Sequence, residues 1–141
     1  MIEKLKTAIV DIIKNLDLDG TDAFSNVYDA ITEDFEGSPS AVVTFETSDA
    51  EIFTTTLNKR TYEFNIGLWY SYNPKILSQS DVNEIVNNLV DLTVNAVEHD
   101  ATLNGLIAIM NPVFVDEKEV LNSGEGLAIY QNLIVSMVLL E

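Results

Sequence analysis

The sharpest chemical motif in the chain runs from Asn15 to Asn26, Asn-Leu-Asp-Leu-Asp-Gly-Thr-Asp-Ala-Phe-Ser-Asn. It places oxygen-bearing side chains at relative positions 1, 3 and 5 and a glycine at 6, the spacing with which a loop wraps calcium. The motif fails where the ion is gripped hardest. Asn26 stands at position 12 in place of a bidentate glutamate, and Asp22 stands at position 8, where an apolar residue belongs. No helical pattern follows. A helix end closed by a glycine turn accounts for the same residues, so no metal site is expected and calcium should leave stability unchanged.

The rest of the chemical inventory is thin. The single histidine, His99, lies between Glu98 and Asp100 at the predicted end of a helix, where the dipole favours a cation. No serine or cysteine motif accompanies it. The absence of cysteine excludes disulfides and thiolate metal sites. Gly124-Glu125-Gly126 lacks the helix that would turn it into a phosphate cradle. Lys59-Arg60 is the one adjacent basic pair, and Arg60 the only arginine, too little for a nucleic-acid footprint. No enzyme activity, catalytic residue or cofactor is assigned.

The elements that would position these residues are easier to read. Residues 61–72 alternate: Tyr62, Phe64, Ile66, Leu68, Tyr70 and Tyr72 fall on one face, and Thr61, Glu63, Asn65, Gly67, Trp69 and Ser71 on the other. That is a long strand with one buried face, ended by Asn73-Pro74. Ile2, Leu5, Ile9, Ile12, Ile13 and Leu16 predict a first helix over 2–16. Val82, Ile85, Val86, Leu89, Val90, Thr93 and Val97 predict a second, capped by Ser80 and running to His99. Val27–Ile31 and Ala41–Phe45 read as short strands around an acidic loop at 32–40. Ser48-Asp49 reads as a turn, Ile52–Leu57 as a strand, and Asn58-Lys59-Arg60 as a turn or bulge, so that 46–60 form a hairpin projecting from the sheet. Leu106–Met110 and Val113–Val115 read as a strand broken at Asn111-Pro112, and 116–126 as an acidic turn. Leu127–Leu140 is a closing strand apolar on both faces, which belongs in the middle of a sheet or under another subunit.

The expected fold is α+β: a mainly antiparallel sheet, two helices packed on one face, and a projecting β-hairpin, in a single domain over 1–141. The net charge of −16 repels nucleic acid and anionic lipid at long range, and it also suffices for plain solubility. No apolar run approaches the length of a membrane span, and no signal peptide is read at the start. Trp69 faces away from the aromatic row, which suits either packing under a loop or a subunit contact.

An N-terminal amphipathic helix, the Pro39-Ser40-Ala41-Val42-Val43 strand, a Thr-rich hairpin running into Arg60-Thr61-Tyr62-Glu63-Phe64, a helix and closing strands together resemble the tail terminator and tail-completion proteins of long-tailed bacteriophages. The resemblance spans nearly the whole chain. It implies a structural virion protein rather than an enzyme: a ring, hexameric in that family, that caps the tail tube and joins it to the head connector or stopper protein while DNA passes through unheld. Localisation would be the head–tail interface of the virion, after assembly in the host cytoplasm. In such a ring Ile52, Phe53 and Leu57, which have no obvious place in a monomer core, and Trp69 would meet a neighbouring subunit, with Lys59 and Arg60 pairing to its acids. Glu33, Asp34, Glu36, Asp116, Glu117 and Glu119 would supply a negative lumen wall that cannot grip DNA. A neck or connector-completion protein of the same particle, and an acidic DNA mimic that inhibits a nucleic-acid enzyme, are the alternatives.

Overall fold

A computed structural model describes residues 1–32, 35–100, 103, 105–107, 109–123 and 126–141. The chain begins with α1 (Ile2–Lys14), which turns Leu5, Ile9, Val10 and Ile13 into the core at helical spacing. The calcium-like motif then folds as a small hairpin of β1 (Asp17–Leu18) and β2 (Thr21–Asp22). Asp19 and Gly20 both have positive φ, 52° and 82°, the two-residue turn whose twist matches paired strands and for which Asp-Gly is favoured. The Thr21 hydroxyl donates to Leu18 O at 2.9 Å. Residues of the oxygen-rich motif thus build a tight turn.

β3 (Asn26–Tyr28) is shorter than predicted and pairs in parallel with the start of β4 (Ser40–Ile52). β4 is much longer than the five residues expected. Ser48-Asp49 is no turn: Thr47, Ser48 and Asp49 pair with Glu63, Tyr62 and Thr61 of β5 (Asn58–Tyr72). A bulge at Glu46 explains the misreading. It shifts the inward positions of β4 from Ala41, Val43 and Phe45 to Ser48, Ala50 and Ile52, so no single alternation runs through the strand. Asn58-Lys59-Arg60 lies within β5, neither a turn nor a bulge. The true turn of the hairpin is 53–57, which was read as part of a strand.

α2 (Gln79–His99) packs through Val82, Val86, Leu89, Val90, Thr93 and Val97. Its cap is Ser78 rather than Ser80: the Ser78 Oγ accepts from Asp81 N at 3.2 Å. The buried Thr93 hydroxyl is satisfied by Leu89 O at 2.8 Å. β6 (Ile109–Met110) and β7 (Phe114–Ser123) follow, then β8 (Gly126–Leu140). The stretch predicted as an acidic turn, 116–126, is mostly strand, and residues 124 and 125 lie outside the described set.

The order across the main sheet is β3-β4-β5-β8, with β6 and β7 both on the far edge of β8. β8 is thus an interior strand, as its apolar run required, and all its partners are antiparallel. Both helices join a single core with the inner face of the sheet, centred on Phe64, Ile66, Leu133, Val135 and Met137. Each such side chain taken from water contributes about 1.5–3 kcal/mol. Among the described residues, no helix lies on the other face of the sheet. The fold is α+β with an open, mainly antiparallel sheet. Buried side chains on β4 stop at Val43, while β5 stays paired with β8 as far as Lys59 opposite Leu140, so the part of the β4–β5 hairpin that lies beyond the sheet is the 53–57 turn.

Candidate functional site

Two surfaces collect the residues singled out by sequence. The first is the hairpin tip. Phe53 N and Thr54 N both donate to Leu57 O, at 3.1 and 2.9 Å. The Thr54 hydroxyl accepts from Leu57 N at 3.0 Å and Thr56 N at 3.3 Å. The threonines thus build a turn through side-chain-to-backbone bonds. Around it Ile52, Phe53 and Leu57 are 84%, 57% and 38% exposed, so none of the three belongs to this subunit's core.

The basic pair at the base of the hairpin is already engaged within the chain. Lys59 Nζ lies 3.3 Å from Glu51 Oε1, its partner directly across the strand pair. Arg60 Nε lies 2.9 Å from Glu141 Oε1, and the Tyr62 hydroxyl donates to the same oxygen at 3.2 Å. Asn58 and Glu141 also exchange backbone hydrogen bonds. Within the chain, both basic residues thus pair across strands with acids that the register brings beside them. Burial, then the charge of Glu141 and the hydrogen bond to it, hold the Tyr62 pKa above the usual tyrosine range, against the opposing pull of Arg60.

Trp69 stacks on Phe35, ring centroids 5.0 Å apart and planes 14° from parallel. Phe35 in turn meets Tyr28 edge-on at 5.8 Å. Phe35 thus lies over one end of the open sheet face, and one side of the indole is occupied by its own chain. Glu36 in that loop is exposed, with its backbone tied down: its N–H donates to the Tyr28 hydroxyl at 2.8 Å, and its carbonyl accepts from the Asn26 amide. Glu33 and Asp34 lie outside the described residues.

The second surface is a groove of about 340 Å³ on the same face, lined by Thr44, Asn65, Asn132, Tyr130, Asp116, Glu117 and Glu119. Three predicted lumen acids are thereby brought together, on a strand rather than in the loop expected for them. Strand alternation decides their company. Glu119 sits opposite Tyr130 on the open face, whereas Lys118 sits opposite Gln131 on the helix face and donates to Asn87 Oδ1. The lysine is thus turned away, and among the described residues no cation lines the groove. Asp116 and Glu117 occupy a bulge, and the Asp116 carbonyl, displaced from the ladder there, accepts from the amide of the buried Gln131. Along the floor, Asn132 donates to Asn65 Oδ1 at 3.4 Å and Asn65 to Glu46 Oε2 at 2.6 Å.

Gly67 has a role that alternation alone did not expose. A Cβ built there would lie 2.1 Å from the Tyr130 hydroxyl oxygen and 2.6 Å from its Cζ, so the bare backbone is what lets the ring lie across the strand. Burial, reinforced by the charge of Glu119, raises the Tyr130 pKa. His99 ends α2, as its place in the sequence predicted, and among the described residues no cluster of acids and histidine has metal-holding geometry. No family model matches this chain, and none of the curated proteins is significantly similar to it.

Proposed function

We propose that this protein is a structural subunit of a long-tailed phage particle, a tail terminator whose ring caps the tail tube and presents a docking face to the head connector. The observation that carries the reading is the hairpin tip: a hydrogen-bonded turn that holds three large apolar side chains outside the core of its own subunit. Large apolar groups held in water on a built turn are typical of contact surfaces. The acidic groove is the second support. Three carboxylates on an open sheet face, without a lining cation, repel a duplex and leave it no ion pairs to form.

Sedimentation of the purified chain, alone and with tail tubes of a long-tailed phage, tests the proposal. A ring-sized species, or co-sedimentation with tubes, is expected. Replacing 53–57 by Asn-Gly, which closes Ile52 to Asn58 with a two-residue turn, should leave a folded protein that no longer assembles. A chain that stays monomeric under every condition and ignores tubes contradicts the reading.

A further inference from the structure

We propose that the hairpin tip of one copy seats in a groove along α1 of the next copy. This rests on the ring reading above and names the two surfaces that meet. The groove has a volume of about 540 Å³. Ala8 and Ile12 of α1 and Leu103 and Leu106 beyond α2 form its apolar part, and among its charged lining residues Glu3, Asp11 and Asp100 outnumber Lys4. No hairpin residue is among its lining, so the tip of the same chain does not fill it.

Size, charge and symmetry select the occupant. An apolar cavity of about 150 Å³ already holds a benzene ring. This groove therefore has room for the Phe53 ring with aliphatic side chains beside it. Ile52-Phe-Thr-Thr-Thr-Leu57 carries no charge, in a chain whose net charge is −16. With three acids against one lysine, the groove disfavours a segment bearing carboxylates. It accepts a neutral one whose threonine hydroxyls can donate to those acids. Knob and socket are different surfaces of one chain, so the contact is head-to-tail, the type that generates rings when the rotation closes.

The chain has no cysteine, so paired cysteines report the contact cleanly. Thr55→Cys, which leaves Phe53 in place, and Thr7→Cys both fall at exposed positions. With a short bis-maleimide, a mixture of the two variants should give a covalent dimer, while neither alone should. The double variant should give a ladder ending at the ring size. Thr7→Trp, which fills the groove from an exposed helix position, should raise the concentration needed for assembly by about tenfold or more. Dimers from Thr55→Cys alone would mean tip-to-tip contact and overturn the proposal, as would adducts to tube subunits in place of a second copy. A wild-type ring with no adduct in the mixture overturns the seating and leaves the ring reading intact. A wild-type chain that never assembles overturns both.

Discussion

Substituting Gly67 by alanine tests how the acidic groove is built. The added methyl would lie 2.1, 2.6 and 2.9 Å from three atoms of the Tyr130 ring and hydroxyl, so the whole ring must lift rather than its tip alone. Overpacking of this kind costs about 1–3 kcal/mol. With Tyr130→Ser as background the obstruction is gone, and alanine becomes the better strand residue by about 0.5–1 kcal/mol through its lower backbone entropy. The double-mutant cycle should therefore show a coupling of about 1.5–4 kcal/mol between these positions. Urea unfolding measures it: at a slope of about 2 kcal/mol per molar, Gly67→Ala alone should lower the midpoint by roughly 0.5–1.5 M. Spectrophotometric titration gives a second readout. Lifting the ring returns it to water and away from Glu119, so the Tyr130 pKa should fall toward the ordinary tyrosine value. If Gly67→Ala costs the same with and without Tyr130, the ring does not lie across Gly67 and this description of the groove is wrong.

Ser78→Ala should destabilise by about 1 kcal/mol through loss of the α2 cap, while Ser80→Ala should cost little, as thermal melts of the two variants will show. Tyr62 keeps its proton in the fold after the unfolded chain has lost it. Its contribution to stability is thus whole below about pH 10 and declines as pH rises from there through the folded value. Tyr62→Phe should make the alkaline loss of stability shallower; an unchanged slope would remove Tyr62 as its source. Phe35→Ala should weaken the fold by about 0.5–1.5 kcal/mol beyond the lost area burial and shift Trp69 fluorescence to the red. An unshifted spectrum would show that Phe35 does not shield the indole.

The amino-acid sequence alone determined the parts of this protein that face a core. Burial on one side imprints a period on the residues, two in β5 and close to four in α1 and α2, and β8 reads as interior because it is apolar on both faces. It also marked Ile52, Phe53 and Leu57 as residues without a place in a monomer. Where the chain is exposed on both sides, that imprint vanishes. Residues 46–52 and 116–122 are strand segments, mostly exposed and polar, that resemble loops, and the bulges at Glu46 and at Asp116-Glu117 break whatever alternation remains. The Asp19-Gly20 turn was legible in principle from its dipeptide, but it was masked by the oxygen spacing of a calcium loop. Only the tertiary structure decided the company each residue keeps. It stacked Phe35 on Trp69, sent Lys118 to the helix side of β7 and left Glu119 beside Tyr130, and laid Tyr130 over Gly67. It also committed Arg60 to Glu141, 81 residues away. These are pairings between strands, set by register. Register emerges when whole strands bury one face together, a collective choice that no local stretch of sequence states.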